Sequence, residues 1–120
     1  MGQLSQRGRV MQYTQDRYGT EPEYLWKKYP SYAIFRQPAS KKWFAAVMTL
    51  PRNRLGLAGD GEIDVMDLKC GPLMVGSLLA QDGFRPAYHM SKGSWISVLL
   101  YETLPDEEIY PLVELSYDSV

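Results

Sequence analysis

The sequence has one cysteine, one histidine and no long apolar run. Cys70 alone excludes an internal disulfide, and one chain with a single thiol and a single imidazole cannot build a zinc cage. Both facts suit a reducing, cytoplasmic setting. Any histidine-dependent triad must use His89, yet there is no Gly-x-Ser-x-Gly elbow and no acid near it in sequence poised to orient it. The longest unbroken apolar run, Trp43 to Met48, falls far short of the ~20 residues of a membrane-spanning helix. The N-terminus carries arginines but no apolar h-region, so no secretory signal is expected. Gln6 stands where a myristoylation signal after Gly2 requires Ser or Thr. No cofactor, metal or membrane partner is expected.

What is present describes an ordinary globular chain. Its 120 residues, 45% hydrophobic and 22% charged, fit one domain spanning 1–120. Folding at this length buries roughly 65% of the unfolded chain's surface, enough for a core without staples. Net charge is −1, but it is unevenly spread. Residues 1–54 hold ten basic and three acidic side chains, and the remaining 66 hold three basic and eleven acidic ones. Such asymmetry can mark a polyanion-binding face, provided the fold does not interleave the halves.

Apolar periodicity predicts a helix over Leu4 to Tyr18, stopped by Gly19, which makes residues 1–19 an N-terminal helical extension. Thr20-Glu21-Pro22-Glu23 combines a capping box with an early proline and predicts a second short helix presenting Tyr24, Leu25 and Trp26. Tyr32–Gln37 and Trp43–Leu50 read as a hairpin, the second strand apolar on both faces and so interior. Arg52–Glu62 reads as a loop or short irregular strand, and Ile63–Cys70 as a third strand with Met66, Leu68 and Cys70 on one face. Pro72–Gln81 reads as a helix burying Leu73, Met74 and Leu78. After a connector, Trp95–Glu102 is a fourth strand, and a last helix from Pro105 turns Ile109, Leu112, Val113 and Tyr117 inward. Pro111 either sits in the first turn of a late-starting helix or kinks it. Helices beside a run of strands predict an α+β fold, an antiparallel-rich sheet with helices packed on one side.

Several stretches resemble the MmcQ/YjbR family: Lys42-Trp43-Phe44-Ala45, Leu68-Lys69-Cys70-Gly71-Pro72, Arg85 through Lys92 followed by Trp95, and Leu104 through Ile109 with Ser116-Tyr117 beyond. The similarity spans about residues 20 to 120. Ser91 departs from the family's usual Asn, and Gly93-Ser94 from its usual bulky or basic residue and His. The resemblance implies a frataxin-like domain, and members have been proposed to carry a double-wing DNA-binding motif. Fold does not fix function, and most members are uncharacterised.

Local motifs do not point to an enzyme. His89 reads as a general base, a phosphate contact or a hydrogen-bonded turn residue. Cys70, ahead of a helix N-terminus, reads as a stabilised thiolate or a small buried hydrophobe. Gly56 to Gly61 lacks both phosphate-loop spacings. Asp60, Glu62, Asp64 and Asp67 fail the calcium-loop pattern, with Val65 and Gly71 at its Gly and Glu positions, and read as a solvated acidic edge. The functional candidates are basic and aromatic. Arg36, Lys41 and Lys42 surround a hairpin tip, while Arg85, His89 and Lys92 lie in the later connector. Converging on one face, they would track DNA phosphates without reading sequence. Trp43 and Trp95 fit the core. The expectation is a non-catalytic binding domain with DNA as possible partner; the alternative is a small-molecule or protein-binding cleft near Tyr88, His89 and Trp95.

Overall fold

The structure, a computed structural model, describes residues 5–120; Gly2 and Leu4 lie outside the described residues. In chain order it contains α1 (Gln6–Tyr18), β1 (Ala33–Arg36), β2 (Trp43–Pro51), a 3-10 turn (Arg52–Leu55), β3 (Glu62–Lys69), α2 (Pro72–Leu79), β4 (Phe84–Pro86), β5 (Trp95–Leu99) and α3 (Asp106–Asp118). The strands form one antiparallel sheet in the order β1-β2-β3-β5-β4. This is the α+β architecture expected from the sequence.

The helices share one face of the sheet. Val10 of α1, Val75 and Leu78 of α2, and Ile109 and Val113 of α3 join Phe35, Phe44, Val47, Met66, Leu68, Ile96 and Val98 in one core. Ser5 caps α1 by accepting the Gly8 N–H at 3.1 Å, and Gly19 ends it with φ 62°, a conformation glycine adopts without steric cost. The buried positions of α1 are Gln6, Val10 and Thr14, a stripe that is mostly polar. Gln6 is satisfied because its amide donates to the Leu104 and Asp106 oxygens and accepts the Glu102 N–H, fixing the turn into α3.

The opposite face carries a second core of Tyr32, Ile34, Ala46, Met48, Leu50, Ile63, Val65 and Leu99, covered by loops. A bulge decides which side chains reach it. Phe35 faces Ala45 and Arg36 faces Trp43, so Phe44 is the extra residue on β2. Phe44 and Ala45 therefore both point into the helix-side core, and Trp43, Ala46 and Met48 point to the loop side. Ser116 of α3, fully buried, donates its hydroxyl to the Phe44 carbonyl and accepts the Lys69 N–H at 2.9 Å. One side chain thus satisfies two backbone groups beside the bulge.

Three expectations are corrected and one open alternative is decided. Residues 20–30 are not helical: the Glu23 N–H and carbonyl pair with Ile34 at 2.8 and 2.9 Å, adding an extended segment outside β1. Thr20 donates to the Arg36 carbonyl instead of capping a helix, and the Glu23 carboxylate pairs with Arg36. Phe84–Pro86, read as connector, pairs with β5 as an edge strand, where a proline is tolerated. In α2 the inward residues are Val75 and Leu78, and Leu73 is 93% exposed. Pro111 lies inside α3 at an exposed position rather than in its first turn.

Candidate functional site

The loop-covered face opens into a cleft of about 350 Å³. Its floor is sheet: Ile34, Ala46 and Met48, with Ala46 small enough to leave depth. Its walls are aromatic. The extended segment after α1 supplies Trp26 and Tyr29, β2 supplies Trp43, and the loop between β4 and β5 supplies His89 and Met90. Trp26 stands perpendicular to Trp43 (5.8 Å between centroids, 88°) and nearly so to Tyr32 (6.1 Å, 73°), while Tyr29 stacks on Tyr32 at 4.8 Å. Edge-to-face pairs of this kind are a favoured aromatic arrangement and orient the rings relative to one another. Among the described lining residues there is no carboxylate, thiol or aliphatic hydroxyl.

The cleft-side loop has a defined shape. His89 adopts φ 63°, and its ring lies 4.0 Å from Tyr88 and 6.4 Å from Tyr32. Lys92 reaches back to the Ala87 carbonyl at 3.1 Å, closing the loop. Beneath it lies Asp67, fully buried in the cross-strand row Ala46, Asp67, Ser97. One Asp67 oxygen accepts the Ser97 hydroxyl, which itself accepts the Tyr88 N–H; the other has no hydrogen-bond partner among the described residues. Burial pushes this carboxyl up to about 7, opposed by the Ser97 hydrogen bond and by the charge of Lys92. The acidic edge read from the sequence is therefore corrected at Asp67. Asp64 is also engaged, accepting from Thr49 and facing Arg7. Burial likewise pushes the Cys70 thiol up, the opposite of what a reactive thiolate needs.

The basic residues do not form one stripe. Arg36 is ion-paired with Glu23 at 3.0 Å and packs over Trp43. Lys41 and Lys42 are exposed at the hairpin tip. Arg85 lies on β4, the opposite edge of the sheet from β1. His89 faces the cleft, while Lys92 is folded onto its own loop. Tyr88 sits beside His89, and Trp95 starts β5 opposite Lys69, outside the cleft. The charge asymmetry is partly interleaved by folding: Arg7, Arg9 and Arg17 of α1 pair with Asp64, with Glu102 and Asp106, and with Glu114. Sequence reasoning missed Trp26, Tyr29, Tyr32 and Trp43 as site residues. The available signal was density: Tyr24, Trp26, Tyr29 and Tyr32 fall within a short stretch, more aromatic surface than one buried face absorbs.

Comparison with known proteins gives a consistent assignment. The YjbR family model matches residues 15–119. "Uncharacterized protein YyaQ" of Bacillus subtilis is 43% identical over 108 residues, covering 90% of this chain and 92% of that protein. A crystal structure of a Pseudomonas syringae protein superposes with TM-score 0.90 at 43% identity, covering 92% of this chain and 95% of the other. A Deinococcus radiodurans crystal structure shares the fold at 18% identity, with TM-score 0.63 over 87% of this chain and 72% of that one.

Proposed function

The chain belongs to the YjbR family, and from that premise we propose that it is a non-catalytic binding module whose aromatic cleft takes a small planar molecule. The observation that carries this reading is the set of aromatic walls, with Trp26 edge-to-face against both Trp43 and Tyr32, around a floor kept open by Ala46. An inserted ring meets a face on one wall and edges on the others. The cleft's volume lies at the small end of the range for ligand sites, which suits one or two fused rings. Among the described lining residues there is no carboxylate, thiol or aliphatic hydroxyl, which supports binding over catalysis: no acid orients His89 and no such nucleophile stands beside it.

Calorimetric titration with indole-3-propionamide, a neutral planar probe, tests the reading. Trp43→Ala is expected to weaken binding about tenfold, the scale of one lost aromatic wall. The double variant Lys41→Ser, Lys42→Ser should leave it within about twofold. Equal affinity in the wild type and Trp43→Ala would remove the cleft from the account.

A second reading is weak, sequence-indifferent DNA contact through the hairpin tip. It is favoured by Lys41 and Lys42, exposed and outside the five ion pairs among the described residues. On that reading the double lysine variant is the one that loses affinity, for labelled duplex DNA and with a reduced salt slope.

A further inference from the structure

A second depression of about 290 Å³ adjoins the cleft, and Tyr29 and Tyr32 belong to both. On the other side of the shared ridge, the Tyr88 ring, which lines the second depression, contacts His89, which lines the first. The two hollows differ in chemistry. The cleft is lined by rings and an apolar floor; the second depression is lined by Lys28, Arg54 and hydroxyl-bearing residues, among them Tyr29, Tyr32 and Tyr88.

We propose that this second depression holds an anionic group of the molecule whose ring occupies the cleft, making the ligand an aromatic acid with a short flexible arm. The inference rests on the cleft reading and names its ligand class. Lys28 and Arg54 belong to no ion pair among the described residues, so their charges are not already neutralised. Arg54 donates to the Tyr88 hydroxyl at 3.3 Å, which leaves the phenolic proton of Tyr88 free to point at a ligand oxygen. Burial raises the Tyr32 phenol above its usual value, with Tyr88 and Tyr29 adding to the effect and Arg54 opposing it, so the hydroxyl remains a donor. Glu62 is the acid on this lining; it is exposed, and the two cations outnumber it. Guanidinium, ammonium and phenol donors together suit a carboxylate or phosphate, and the shared Tyr29 and Tyr32 make the two hollows neighbours that one short-armed molecule would occupy together.

The test compares indole-3-propionate with indole-3-propionamide, which share a ring and an arm and differ in charge, by calorimetry at low salt. The wild type is expected to bind the acid about fivefold tighter than the amide, the scale of exposed charge contacts. Arg54→Met with Lys28→Met, both at exposed positions, should bring that ratio within about twofold. Acid and amide bound equally by the wild type would overturn the anion site and leave the cleft standing. A preference for the acid that survives the double variant would also overturn it. Failure of both probes to bind would remove the cleft reading and this inference together.

Discussion

Asp67→Asn is expected to flatten the pH dependence of stability between pH 4 and pH 7 and to stabilise the protein at pH 8. The buried carboxyl titrates near 7 in the folded state, against 3.8 for an unperturbed one. Between those values the folded chain keeps a proton that the unfolded chain has released. Stability from this group is therefore full below the unfolded value, falls by ~1.4 kcal/mol per pH unit through the interval, and levels off above about 7. The accumulated penalty at pH 8 is on the order of 4 kcal/mol. Asparagine keeps the oxygen that accepts from Ser97 but places an NH2 where the partnerless oxygen lies, which costs roughly 1–3 kcal/mol. The expected net gain at pH 8 is about 1–3 kcal/mol, reversing at pH 4, where the wild-type carboxyl carries little of its penalty. Urea denaturation across the range reads it directly. A variant that keeps the wild-type slope would show that Asp67 is not the group responsible.

Ser116→Ala should cost about 2–4 kcal/mol, because it removes at once the partner of the buried Phe44 carbonyl and that of the partly buried Lys69 N–H. That is a large fraction of the 5–15 kcal/mol typical of a whole domain. The loss should also reach function, since the bulge at Phe44 is what turns Trp43 toward the cleft. Chemical denaturation measures the first effect. The affinity for indole-3-propionamide, measured where the variant is still folded, reads the second. A loss below about 0.5 kcal/mol would mean the two backbone groups find other partners.

These two sites explain how much of the molecule was legible in the sequence. The elements around α1, β2, β3 and α3 were readable because long apolar or periodic runs carry them. The strand β4, three residues ending in Pro86, has too little pattern to register. The capping box at Thr20 was a real local signal that lost to pairing: Glu23 gains two backbone hydrogen bonds to Ile34 and an ion pair with Arg36. Leu73 looked buried by composition, but α2 docks through Val75 and Leu78. The cleft was the hardest feature to read. Simple alternation along β2 puts Trp43 with Ala45 and Val47, and only the extra residue at the bulge moves it to the face of Ala46 and Met48. In the sequence His89 is a lone titratable group, and the structure sets it among rings. The burial of Asp67 is not legible locally, because it depends on a loop that arrives some twenty residues later in the chain.

The central claim, that the loop-covered face is the binding site, is tested most directly by the three tryptophans. Trp26 and Trp43 line the cleft and Trp95 does not. In an amide and indole NMR titration of the isotopically labelled protein with unlabelled indole-3-propionamide, the Nε1–H resonances of Trp26 and Trp43 should move in a saturable way while that of Trp95 stays in place. Three unmoved indoles, or three that shift alike, would contradict the account.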